Sequence, residues 1–475
     1  MERSVDIVGT TLATSFVTQR SPLWGMAALY QATLRMAVAA LCNFSICQNP
    51  SYPYRSINMP TLTKDVYATC TRPAALKTSD HLRYIDSLRG IAIFAVIFVH
   101  VGQVSTLPGL AGRLSHFGAA GVQLFYTISA LTLFMSMSKR TGVERHPKIN
   151  FFIRRFFRIA PAFYLILLVC CLLSNSNRAM QFEVSHIQIS GILLIMSFLN
   201  GWRPDLINFP VTGQWSITVE MMFYLLLPFL FTHVRTFHRA VLAWYASVAI
   251  LLFSPTFALH LASAEGFDAN TRFVRDFSFW WFPNQLPVFM SGIGLYFIVK
   301  ERLIFTQYIS PYLPGTFVVL AACVATLHQQ IFVTPLFGIL FMIGTAYLAE
   351  NPTHLFVNRF SAFLGKISFS AYLFHPLVLR SIKPYIRALP IQDALAKFLL
   401  TFALTFILTC PISWLMWAAV EVPFQRLGRT LIGWWEEPNL PVFGKEATDL
   451  SCMNEQRDSQ STNVVLSAHE ERTQA

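Results

Sequence analysis

The chain has 475 residues, of which 54% are hydrophobic and only 13% charged, with a formal net charge of +12. Soluble domains carry about 25% charged residues, so this composition excludes a disordered chain, a secreted disulfide scaffold and a typical soluble enzyme. What remains is a polytopic membrane protein with a basic bias.

Residues 1–80 are rich in Ser and Thr, with a half-apolar stretch from Leu23 to Cys47 broken by Arg35. That stretch suits a signal-anchor or an amphipathic surface helix. It lacks an ordered n-region, h-region and cleavage site, so the plainer expectation is a poorly ordered leader, or an over-long start ahead of Met59.

Beyond it, ten apolar runs reach the length needed to cross a bilayer, at 89–107, 118–138, 157–175, 216–234, 240–262, 279–299, 312–328, 331–349, 361–380 and 397–420. The expected fold class is therefore all-α, a polytopic integral membrane protein with about ten transmembrane helices. An eleventh run, Ile187 to Asn200, is shorter and leads into the polar stretch GWRPDLINFPVTGQ, as an interfacial, re-entrant or buried segment would. The membrane domain is expected over 81–430 and a flexible tail over 431–475.

Orientation follows from the basic loops. The loop 139–158 holds Lys139, Arg140, Arg145, Lys148, Arg154, Arg155 and Arg158 against Glu144, and should be cytoplasmic. If Ile187–Asn200 does not span, the loop from His233 to Arg239, the pair Lys300 and Arg302, and the pair Arg426 and Arg429 fall on the same side. Both termini are then cytoplasmic; Arg380, Lys383 and Arg387 run against that arrangement. Because the basic residues sit in short loops and form no stripe on a soluble domain, the positive balance does not point to nucleic acid. The eight cysteines show no CxxC or Cys/His ligand spacing, and several lie inside apolar runs, so neither disulfides nor a metal site is expected.

Five polar clusters interrupt the apolar pattern. The first span opens Tyr84-Ile85-Asp86-Ser87-Leu88-Arg89-Gly90 and runs to His100. Eleven residues at 100° each leave Arg89 and His100 about 20° apart on one helix face, about 16 Å apart along the axis. A histidine within a span marks a functional polar interior or acts as hydrogen-bonding glue between helices. The second span contains Gly118, Gly121, Gln123, Thr127 and Ser129, which reads as ordinary close helix packing. Before the third come Arg154, Arg155 and Arg158; the last two share a face and could clamp a phosphate, or serve only topology and lipid headgroups. The fourth cluster, Gln214-Trp215-Ser216-Ile217-Thr218-Val219-Glu220 followed by Tyr224, places a carboxylate in a strongly apolar span. Such a group acts as a base, holds a polar substrate or forms a structural ion pair. Last comes Leu364-Gly365-Lys366-Ile367-Ser368-Phe369-Ser370-Ala371-Tyr372-Leu373-Phe374-His375, and then Glu421-Val422-Pro423-Phe424.

Taken in order, these motifs resemble the membrane acyltransferase 3 family, which includes bacterial O-antigen and exopolysaccharide O-acetylases. The resemblance runs from about Tyr84 to Phe424. It rests on D-x-L-R-G, Arg89-x10-His100, Gly-Val-x-Leu-Phe-x-x-x-Ser, Arg-Arg-x-x-Arg-Ile-x-Pro, Trp-Ser-x-x-x-Glu-x-x-x-Tyr and Leu-Gly-x-Ile-Ser-x-x-x-Tyr-Leu-x-His. Departures are Gln123, where the family has an acidic residue, Ala130 for Gly and Ile217 for Leu.

The resemblance implies an acyl-CoA co-substrate, commonly acetyl-CoA, reached from the cytoplasm, no permanently bound cofactor, and a hydroxyl of a carbohydrate or glycolipid as acceptor. The expected home is the bacterial inner (cell) membrane. Arg154, Arg155 and Arg158 would bind CoA, Arg89 would hold a donor phosphate or orient the thioester, and His100 would act as base. Glu220 would orient the acceptor or support the base, with Trp215 against the sugar ring and Ser216, Tyr224 and His375 also contacting substrate. No GxSxG surrounds a serine, which argues against a serine-hydrolase mechanism. A secondary transporter is the rival class, but no inverted repeat is visible.

Overall fold

The computed structural model describes residues 80–105, 107–176, 189–268, 272–301 and 330–436. Among them every regular element is helical. Helix α1 (Asp80–Ser105) is followed by the short α2 (Gly109–Phe117), a 3-10 turn (Gly118–Ala120) and α3 (Gly121–Arg140). Helix α4 (Pro147–Ser176) opens on a proline, whose missing N–H costs nothing in a first turn. Then come α5 (Ile189–Met196), α6 (Gln214–His233), α7 (Phe237–Ala264), α8 (Arg272–Trp280), α9 (Phe282–Glu301) and α10 (Gln330–Glu350). The last part of the described chain holds α11 (Arg359–Lys366), α12 (Ser368–Ala388), α13 (Ala394–Met416), a π-helical turn (Trp417–Glu421) and α14 (Val422–Glu436).

Among the described residues, eight helical stretches are long and apolar enough to cross a membrane, or nine if α11 and α12, bent by 76° at Ile367, form one broken span. The run expected at 312–328 lies outside the described residues, as do residues 1–79 and 437–475. The other nine expected runs each coincide with one of these stretches. The described part of the run Ile187–Asn200 holds α5, eight residues long, a turn, and the first residue of a 3-10 turn (Asn200–Trp202). At about 12 Å that helix is too short to cross a hydrocarbon core of about 30 Å.

Lipid tails are as apolar as leucine, so helices in a membrane gain by close packing of small residues, not by hiding from solvent. Helices α1 and α11 cross with their backbones in contact. A Cβ on Gly365 would stand 1.8 Å from the Asp86 carbonyl oxygen, and one on Gly90 2.0 Å from that of Ser361. The glycines of D-x-L-R-G and Leu-Gly-x-Ile-Ser therefore let two backbones touch. Gly118 and Gly121 admit the Ala95 and Ala92 carbonyls of α1 in the same way. Helix α9 is buried along nearly its whole length. Its Gln285 accepts from the Gln123 amide at 3.2 Å, so the departure at Gln123 is matched by an amide partner.

From Ala394 to Glu436 the chain runs helical for 43 residues. That is about 65 Å, twice the hydrocarbon thickness, so α14 leaves the apolar layer. It lies along α4, with Gly428 against the Phe157 side chain. Its last carboxylate, Glu436, accepts from the backbone N–H of Arg145 (2.8 Å) and His146 (3.0 Å) and from the Asn150 amide (2.7 Å). The start of α4 is thereby held in place, and α4 carries the arginines of the site.

Candidate active site

A cavity of about 70 Å³ lies where α1, α3, α4, α6 and α12 converge, lined by Arg89, Ser129, Arg155, Arg158, Ser216, Glu220, Tyr224 and Tyr372 among others. Helical periodicity places these groups together: Arg155 and Arg158 are one turn apart on α4, as are Glu220 and Tyr224 on α6. Five separate sequence motifs thus meet in one space.

Three guanidinium groups face the single Glu220 carboxylate there. Glu220 is already committed. Its Oε1 accepts from the Ser129 hydroxyl and from Tyr224 Oη at 2.7 Å. Arg89 donates to Thr132 Oγ1 at 3.2 Å and lies 3.7 Å from Asp86. Arg155 sits beside two rings, 5.7 Å from the centre of Phe151 and 5.9 Å from that of Tyr224, and its buried Nε has no hydrogen-bond partner among the described residues. No ion pair or hydrogen bond holds Arg158 among the described residues. The cavity therefore keeps uncommitted guanidinium donors, as recognition of an anionic ligand requires.

Arg154 behaves differently from its two neighbours. It does not line the cavity but forms a two-pronged pair with Glu144, both bonds at 2.9 Å, while Arg140 adds a third at 2.7 Å. Burial alone would push the Glu144 carboxyl up. The hydrogen bonds from Arg154, Arg140 and Asn150 outweigh it and hold the group below its ordinary value. The arginine triplet of the sequence thus divides into one structural residue and two cavity residues.

Ser216 donates to Tyr372 Oη at 2.7 Å, and Tyr372 donates to the Gly213 carbonyl at 2.9 Å. Trp215 is buried behind the cavity, stacked on Trp280 at 5.8 Å and edge-on to Tyr126 at 6.4 Å. Trp280 covers one face of its indole.

His100 and His375 are not part of the cavity wall, but they meet one another: His375 Nε2 lies 3.0 Å from His100 Nδ1, with ring centres 4.9 Å apart. The pair adjoins the cavity through Tyr372, whose ring centre is 5.8 Å from that of His375. His100 is partly exposed, whereas His375 is 1% exposed.

Three of these groups carry no assigned role in the sequence alone. Ser129 has the setting of ordinary helix packing, yet it donates to Glu220. Tyr372 is one letter of a motif, yet it lines the cavity and adjoins His375. Glu421 is buried in the π-helical turn and accepts from Ser370. Pairing across helices is not encoded in the spacing along one chain. The only available signal was a polar residue recurring within an apolar motif. No group of residues able to hold a metal ion occurs among the described residues.

The profile of a family described as an acyltransferase domain, acyltransferase 3, matches residues 82–418. A chain of Staphylococcus aureus strain COL that bears an O-acetyltransferase name is 23% identical over 386 residues, 74% of this chain and 59% of that one. The O-acetyltransferase OatA of Staphylococcus aureus strain NCTC 8325 is 22% identical over 388 residues, 73% of this chain and 58% of its own length. The chain thus spans less than two thirds of the curated relatives it matches. No solved structure matches it.

Proposed function

We propose that this chain, which belongs to the acyltransferase 3 family, is a membrane O-acetyltransferase that moves an acetyl group from cytoplasmic acetyl-CoA to a hydroxyl of a carbohydrate or glycolipid in a bacterial cell membrane. One observation carries the reading: three arginines from two helices face one committed carboxylate in a cavity inside an apolar bundle. Charged groups in a membrane are costly and are retained for a ligand or a reaction. The phosphates of CoA are such a ligand, and the O-acetyltransferase relatives favour an acetyl donor.

In this reading Arg155 and Arg158 bind the phosphates, and Arg89 binds beside them. The helix spacing sets His100 about 16 Å further along α1, a gap that the long pantetheine arm of CoA would cross. The acceptor oxygen attacks the thioester carbonyl carbon while its proton passes to His100 Nε2. The C–S bond then breaks, and the departing thiolate takes that proton from His100 Nε2, so that CoA leaves as the thiol and the neutral imidazole is restored. His100 is thus a general base, and Glu220 and Ser216 orient groups in the cavity.

The test is mass spectrometry of glycans and glycolipids from cells with and without the gene. A mass gain of one acetyl group per modified unit, removed by mild base and present only with the gene, is expected. Identical profiles would refute the reading.

A further inference from the structure

The hydrogen bonds around the two histidines determine where their protons lie. His375 Nδ1 is 2.9 Å from the Ala371 carbonyl oxygen, which can only accept, so that nitrogen carries a proton. In the neutral ring its Nε2 is then bare, and this bare nitrogen lies 3.0 Å from His100 Nδ1. His100 Nδ1 also lies 2.9 Å from the Val96 carbonyl oxygen. Two acceptors converge on one nitrogen, and both are satisfied only if His100 Nδ1 carries the proton. In the opposite assignment His375 holds both protons. That would set a bare His100 Nδ1 against the lone pairs of Val96 and bury an uncompensated charge, which costs twice over.

We infer that His375 is a positioning residue, which holds His100 in the Nδ1–H form and so leaves His100 Nε2 as the nitrogen that receives the acceptor's proton. The chain of bonds runs from His100 Nδ1–H to His375 Nε2, and from His375 Nδ1–H to the Ala371 carbonyl. It is the arrangement of a base oriented by a third group, with a neutral imidazole in place of a carboxylate. When His100 takes a proton at Nε2 it becomes cationic, and its Nδ1–H bond to His375 strengthens as a charge-assisted one. His375 has no nitrogen left for substrate. Its expected role as a substrate contact therefore gives way to this one. The inference rests on the reading of His100 as the base in the proposed function.

The test uses membranes from cells that produce the full chain, radiolabelled acetyl-CoA, and base-labile label as readout at varied acetyl-CoA concentration. Glutamine places an amide oxygen near the position of His375 Nε2, asparagine near that of Nδ1, and leucine offers neither. His375→Leu and His375→Asn are expected to lower kcat about ten- to a hundredfold, with the KM for acetyl-CoA unchanged. His375→Gln should recover a large part of the lost kcat. Protein level and thermal midpoint in detergent are measured for all three, so that rates are compared per folded molecule. Wild-type kcat in the leucine and asparagine variants, or an equal loss in all three including glutamine, would overturn the inference. Failure of the proposed function is distinguishable, because the wild-type chain would then transfer no label.

Discussion

The guanidinium of Arg155 lies 5.9 Å from the ring centre of Tyr224, on the cavity side of α4. The ring holds the cation in place without consuming its N–H groups, which stay available to an anion. Replacing Arg155 and Arg158 together with alanine should therefore act on donor binding. Charge-assisted hydrogen bonds of about 1.5–3 kcal/mol each translate into a KM for acetyl-CoA raised about tenfold or more. Arg155→Lys should recover only part, because a point charge lacks the planar fork. An unchanged KM would leave both arginines as topology signals.

Glu220→Gln separates charge from hydrogen bonding. The amide oxygen still accepts from Ser129 and Tyr224, so the protein should fold at a normal level. Removing the cavity's carboxylate also removes repulsion toward phosphates. We expect an acetyl-CoA KM that is unchanged or lower, with kcat reduced about tenfold or more. Steady-state transfer assays on membranes decide this, and an unchanged kcat would exclude Glu220 from the reaction.

Gly365→Ala forces a methyl group to within 1.8 Å of the Asp86 carbonyl oxygen, and Gly90→Ala one to 2.0 Å from that of Ser361. Backbone on both sides leaves nothing flexible to yield. Each substitution should cost about 3 kcal/mol or more and lower the amount of folded protein recovered in detergent. Gly433→Ala is the control. It lies in α14, where a Cβ would meet no atom of the other described residues within 4 Å beyond its own helix turn, and should be neutral or stabilising by about 0.5–1 kcal/mol.

Much of the fold was legible because a bilayer imposes its own length on every span: nine expected runs coincide with helical stretches. Motif order likewise pointed to Arg89, Arg155, Arg158, Glu220, Ser216 and Tyr224, which share one cavity. Spacing along the chain could not reveal which arginine of a triplet finds a carboxylate. Arg154 went to Glu144, the one acidic residue in its own loop. Nor could it reveal that His100 meets His375 across 275 positions. Their pairing depends on how α1 and α12 cross, and the α1–α11 glycines with the 76° bend help to set that crossing.

Glu144 gives the stability of this region a pH dependence. Its carboxyl is held below the ordinary value of 4.5. A carboxylate with a lowered folded pKa stabilises above the unfolded value and loses that contribution as pH falls through the folded one. Glu144→Gln should therefore lower the thermal midpoint at pH 7, by an amount corresponding to about 1 kcal/mol. The difference from wild type should shrink on acidification below about pH 4. A difference constant from pH 7 to pH 3 would contradict this.

His100→Ala removes the proposed base itself. Membranes holding wild-type or variant chain at equal level are given radiolabelled acetyl-CoA, and the base-labile label transferred to carbohydrate or glycolipid is counted. Label is expected with the wild type, and a loss of at least about a hundredfold with the variant. Equal label in the two would contradict the role of His100 as base.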